Sequence, residues 1–127
     1  VLRYDVVVTN EGNLSTIGNS MELVQTLSND AKLFVNNLSA DGPVLFNDGA
    51  GNNTSGLSYN FISLDNTTDD LSFSNDNAAS FNYIPVPDSD GYDSVVTHIK
   101  LLLNGNMKPK YDQGTPEFNI VYQVKVK

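Results

Sequence analysis

The sequence predicts an all-β protein, an immunoglobulin-like antiparallel β-sandwich of about seven to nine strands. Three observations carry that prediction. Apolar residues recur with a period of two rather than the helical 3.6. The apolar runs return at intervals of roughly 8–12 residues, the spacing of sandwich and barrel strands. Between them stands turn chemistry: "NEGN", "ADGP", "NDGAGNN", "SNDN", "PDSDG", "NGN" and "DQGTP". The 127 residues suit one domain with one core, and no internal repeat interrupts them.

The first run, "LRYDVVVT", sets Leu2, Tyr4, Val6 and Val8 on one face and Arg3, Asp5, Val7 and Thr9 on the other. "SMELVQTL" (20–27) is read as a strand, although one or two helical turns would also suit it. "AKLFVNNL" (31–38) and "GPVLFND" (42–48) follow, then "LSYNFISL" (57–64), which aims Leu57, Tyr59 and Phe61 the same way. "LSFS" (71–74) and "SFNYIPV" (80–86) are short, and Pro85 and Pro87 end the latter at a sheet edge. "SVVTHIKLLL" (94–103) is the most apolar run and should be a central strand. "EFNIVYQVKVK" closes the chain, with Phe118, Ile120, Tyr122, Val124 and Val126 sharing a dry face. By this period Tyr4, Tyr59, Tyr83, Tyr122, Phe61, Phe73, Phe81 and Phe118 all point inward, as core rather than as an outward carbohydrate platform. The Cys–Trp–Cys core of antibody domains is missing, because the chain has neither residue type.

Composition then limits the function. A net charge of −8 and a pI near 4.2 argue against nucleic acid or an anionic membrane as partner. No apolar run is long enough for insertion into a membrane, and no basic segment followed by an apolar one opens the chain as a signal peptide would. With no Cys, the fold holds by packing alone. Between Lys32 and Lys100 there is no Lys or Arg but nine Asp, whereas five Lys crowd the stretch from Lys100 onward. Solvated loops explain this; a dipolar particle whose acidic flank meets a neighbour's basic tail is the sharper reading.

Reactive groups are sparse. "PVPDSDGYDS" gathers Asp88, Asp90 and Asp93 around Gly91. An EF-hand spacing fails, because Gly91 is fourth from Asp88 and Ile99 holds the twelfth position. The favoured reading is a tight turn with Gly91 at positive φ and Tyr92 as anchor; the other is a loose Ca²⁺ site. Asp65, Asp69 and Asp70 form a second acidic loop with a similar or weaker claim. His98, the one histidine, shares the presumed central strand with Lys100 and Leu102, and no nucleophile-elbow pattern accompanies it. It reads as a hydrogen-bonded or half-exposed imidazole. Neither a phosphate-binding loop nor a zinc-ligand pattern occurs. Five Asn-x-Ser/Thr sequons begin at Asn13, Asn37, Asn52, Asn53 and Asn66, and the richness in Asn and Ser accounts for most of them.

Certain strand and turn sequences go further. "YDVVVTNEGN", followed by "GPVLFNDG", "SGLSYNFISL", "TTDDLSFSND", "YIPVPDSDGYDSVVTHIKL" and "PEFNIVYQVKVK", resembles a conserved-repeat surface domain of bacteria and archaea, an immunoglobulin-like family of unknown function, and its small exported bacterial relatives. The resemblance implies an extracellular or cell-surface location and no enzyme activity. Such relatives carry a further segment before the first strand, whereas this chain opens at Val1 already inside one. Either the chain is a shortened piece, or a neighbour supplies the strand.

The expected function is therefore a non-enzymatic structural module, a subunit of a filament or surface assembly joined by β-strand complementation, with itself or other surface proteins as partner. Leu2, Tyr4, Val6, Val8, Tyr122, Val124 and Val126 are the candidates for the inter-subunit strands. The alternative is a Ca²⁺-dependent adhesive or ligand-binding module that takes a glycan or a protein.

Overall fold

A computed structural model describes the whole chain, Val1–Lys127. Nine strands run β1 (Leu2–Thr9), β2 (Met21–Thr26), β3 (Ala31–Phe34), β4 (Leu45–Asp48), β5 (Leu57–Ser58), β6 (Leu71–Ser74), β7 (Tyr92–Asp93), β8 (His98–Gly105) and β9 (Glu117–Val126). A single 3₁₀ turn spans Gly51–Asn53. All strand pairs are antiparallel.

One sheet is ordered β1–β9–β3–β7, with β4 also on β9. Strands β3 and β4 lie end to end along β9, meeting Val124–Val126 and Phe118–Val121 respectively. They are one strand interrupted by the excursion 35–44. The second sheet is ordered β2–β8–β5, with β6 also on β8. Here β5 meets Asn104–Gly105 and β6 meets His98–Leu101, so 59–70 is a second excursion from a single strand line. The first strand pairs with the last and the second with the last but one. The two-layer antiparallel sandwich expected from the sequence thus has a wound strand order, the double Greek key of a jelly roll.

The core lies between the sheets. Leu33, Phe118, Ile120, Tyr122 and Val124 face Leu71, Phe73, Ile99, Leu101 and Leu103, all buried, as the period of two requires. The central strand predicted over 94–103 is β8, with neighbours on both sides.

Three readings need correction. "SFNYIPV" forms no strand; it touches β6 only through the Phe73–Tyr83 bridge. Two prolines and a backbone bond from Val86 to the Asp93 carboxylate replace the ladder there. "LSYNFISL" is a strand for two residues only, although Leu57, Tyr59 and Phe61 still pack on the core. Asp69 and Asp70 take the N–H groups of Asn60, Ile62 and Ser63 that a longer strand would have paired. Tyr92–Asp93, read as part of a turn, is the edge strand β7.

Candidate functional site

The "PDSDG" run closes a tight turn. Gly91 N–H donates to the Asp88 carbonyl at 3.0 Å, and Asp88 N–H to the Tyr92 carbonyl at 2.8 Å. Gly91 sits at φ +88°, and a Cβ there would lie 2.6 Å from Asn36 Nδ2 and 2.9 Å from the Phe34 ring, so both backbone and space demand glycine. Tyr92 is buried as the anchor.

The three carboxylates of the run go to different partners. Asp88 Oδ1 accepts the N–H groups of Asp90 and Tyr92, while its Oδ2 meets Lys32 Nζ at 2.7 Å. The lysine first, then the Tyr92 N–H, pulls the Asp88 pKa from 3.8 to about 2, and the same pair raises Lys32. Asp90 pairs with Lys125 at 3.3 Å. Asp93, 3% exposed, accepts the Tyr83 hydroxyl at 2.8 Å and Val86 N–H at 2.7 Å on one oxygen, and Val95 N–H at 2.8 Å on the other. Burial, then the Asp93 bond, pushes the Tyr83 hydroxyl up to about 12. No group of three or more His, Cys, Asp or Glu side chains is arranged to hold a metal ion.

The second acidic loop is also occupied by its own backbone. Asp69 accepts from Ile62, Ser63 and Leu71, Asp70 from Asn60 and the Asn104 side chain, and Asp65 from the Ser63 hydroxyl. Asn66, the head of one sequon, caps the same loop through Thr68 and Asp69. Asp76, which sequence reading passed over, is an exposed carboxylate that accepts the Ser74 hydroxyl and both the N–H and hydroxyl of Ser80. The hydroxyls of Ser74 and Ser80 hold its pKa at about 2.

His98 is half-buried at the start of β8, and its side-chain bond is to Thr97 Oγ1, 3.0 Å from Nδ1. Phe81, expected inward, instead lies on the outer face of β8, with Lys100 Nζ 4.5 Å from its ring centroid. Together with Asp65, Asn82, Ile84 and Leu102 they line a shallow cleft of about 300 Å³. Tyr59 packs near Phe46 with its hydroxyl buried and unpartnered, and burial followed by Asp69, Asp41 and Asp70 drives its pKa upward.

The strand candidates lie together on the sheet of β1 and β9. Tyr4 is opposite Tyr122, their rings stacked 5.2 Å apart at 12°, and Leu2 is opposite Val124. Tyr122 and Val124 are buried, and Val6 and Val8 pack against the core. Leu2, Tyr4 and Val126 occupy the predicted inward face but are 52%, 45% and 64% exposed, Leu2 and Tyr4 on the edge strand β1 and Val126 at the last position of β9. β1 is an edge: its one neighbour is β9. Asn10 N–H donates to the Pro116 carbonyl, so by the alternation of an antiparallel ladder the even residues bond β9. Arg3, Asp5, Val7 and Thr9 therefore present backbone groups to the open side. The far edge differs, since β7 has two residues and Tyr83 ties β6 to Asp93 across the sheets. β2, the other edge of the second sheet, consequently shares the open side with β1.

Searches of family models, curated proteins and solved structures find no match to this chain.

Proposed function

We propose that this chain is a non-enzymatic structural module of the cell surface or extracellular space that joins its neighbours by adding strands at its open edge. The observation that carries the reading is β1, eight residues long, unpaired on one side, and free of the proline, bulge or inward charge that blunts native edges. Exposed apolar side chains concentrate there. Of the fourteen large exposed apolar residues, six (Leu2, Tyr4, Val7, Leu14, Ile17 and Val24) fall on β1, β2 and their connection, and Val1 directly precedes β1. Main-chain pairing supplies affinity in such a contact, and the alternate side chains supply its selectivity. The surface location and the filament rest on the resemblance of "YDVVVTNEGN" and the runs after it to exported surface domains. Sedimentation velocity across a concentration series, with negative-stain electron microscopy of the same samples, tests the reading. Concentration-dependent association is expected, and a chain that stays monomeric at its highest soluble concentration overturns it.

A further inference from the structure

The geometry points to a specific contact: β1 pairs antiparallel with β1 of a second copy, about a two-fold axis through Tyr4, joining two sheets into one. The inference rests on the reading that assembly runs through the open edge, and it names the partner and the register.

The open side offers the N–H and C=O groups of the odd residues, so in a self-pair odd residues face odd ones. A two-fold axis at Arg3 would set Arg3 against its own copy, and an axis at Asp5 would set carboxylate against carboxylate. An axis at Val6 matches Arg3 with Thr9 and Asp5 with Val7. Only an axis at Tyr4 places Arg3 opposite Asp5 of the second copy, and does so twice. Neither charge is satisfied within the chain. Arg3 donates to Gln123 and Asp5 accepts from Asn119, both neutral amides, and neither residue takes part in an ion pair.

The same register covers the exposed apolar groups. On the outer face Val7, 62% exposed, lies opposite Val1 of the second copy. On the inner face Leu2 lies opposite Val6, and Tyr4 opposite Tyr4. The observed Tyr4–Tyr122 stack then becomes a row of four rings running across both sheets. An isologous contact of this kind closes on itself, so its product is a pair; growth beyond the pair needs a second edge, which β2 supplies.

The chain has no Cys, so a single introduced thiol reports its own neighbour. Residue 4 would occupy a non-hydrogen-bonded site with Cα atoms about 4.5 Å apart, within disulfide reach. Under mild oxidation Tyr4→Cys should give a covalent dimer, Leu2→Cys and Val6→Cys alone little, and a mixture of those two a crosslinked heterodimer. Arg3→Asp should weaken association about tenfold by placing two like pairs together, and Arg3→Asp with Asp5→Arg should restore it. Both sites are exposed, and circular dichroism of each variant should show that it keeps its strands. Association that persists while Tyr4→Cys fails to crosslink, or while the double charge reversal gives no rescue, overturns this register and leaves edge assembly standing. Absence of association in the unaltered chain overturns both.

Discussion

Asp93 and Asp90 stand three residues apart and do opposite work. Asp93 is buried and answers three donors, so its removal strands the Tyr83 hydroxyl and two N–H groups. Asp90 holds one exposed lysine. Asp93→Ala should therefore cost about 2–3 kcal/mol in chemical denaturation, and Asp90→Ala under about 1 kcal/mol. Asp88 and Asp76 govern the acid limit. Both are held at about 2 in the fold against an ordinary 3.8. A carboxyl depressed in this way contributes fully above its unfolded value, and the contribution is lost as pH falls through the folded one. The melting temperature should thus begin to fall near pH 3.8 and drop toward pH 2. Asp88→Asn with Asp76→Asn should lower the neutral-pH value and flatten that descent. The two lysine partnerships are not readable from local sequence, since Lys32 is 56 residues from Asp88 and Lys125 is 35 from Asp90.

At the scale of the strand, alternation told which side chains share a face but not how far the opposing sheet reaches. β9 shows both outcomes, with Phe118, Ile120, Tyr122 and Val124 covered and Val126, on the same face, left 64% exposed. β1 shows it too, running from packed Val6 and Val8 out to Tyr4 and Leu2. The ladder polarity of β1 is testable apart from any assembly. Val6 N–H faces Ile120 on β9, whereas Val7 N–H faces the open side. Val6→Pro should be more destabilising than Val7→Pro by about 1–2 kcal/mol in the monomer, because only the first deletes a ladder bond. A larger loss for Val7→Pro would mean that the ladder is shifted by one residue. The prolines of "SFNYIPV" were read as ending a strand at the sheet edge, whereas no strand forms, and Phe81 instead meets Lys100 in a cation–π contact.

Across the whole molecule, winding brings two lysines from outside the acidic stretch onto one of its turns. Lys32 and Lys125 sit on the Asp88 and Asp90 turn and pair with both carboxylates there. A cation would have to displace both lysines and the capping N–H groups of Asp88 to bind there. Addition of a chelator should therefore leave the melting temperature unchanged, and a clear drop on chelation, reversed by Ca²⁺, would restore the cation to that turn.

An antiparallel sandwich, most of its inward residues, its central strand and the glycine turn at Gly91 were legible in the chain, because period and turn chemistry are local properties that neighbours in sequence impose on one another. Strand order, the pairing of first strand with last, the lysines on the acidic turn and the open edge at β1 arise between residues tens of positions apart. They are set by which faces meet when two sheets close over one core, and no local pattern encodes that meeting.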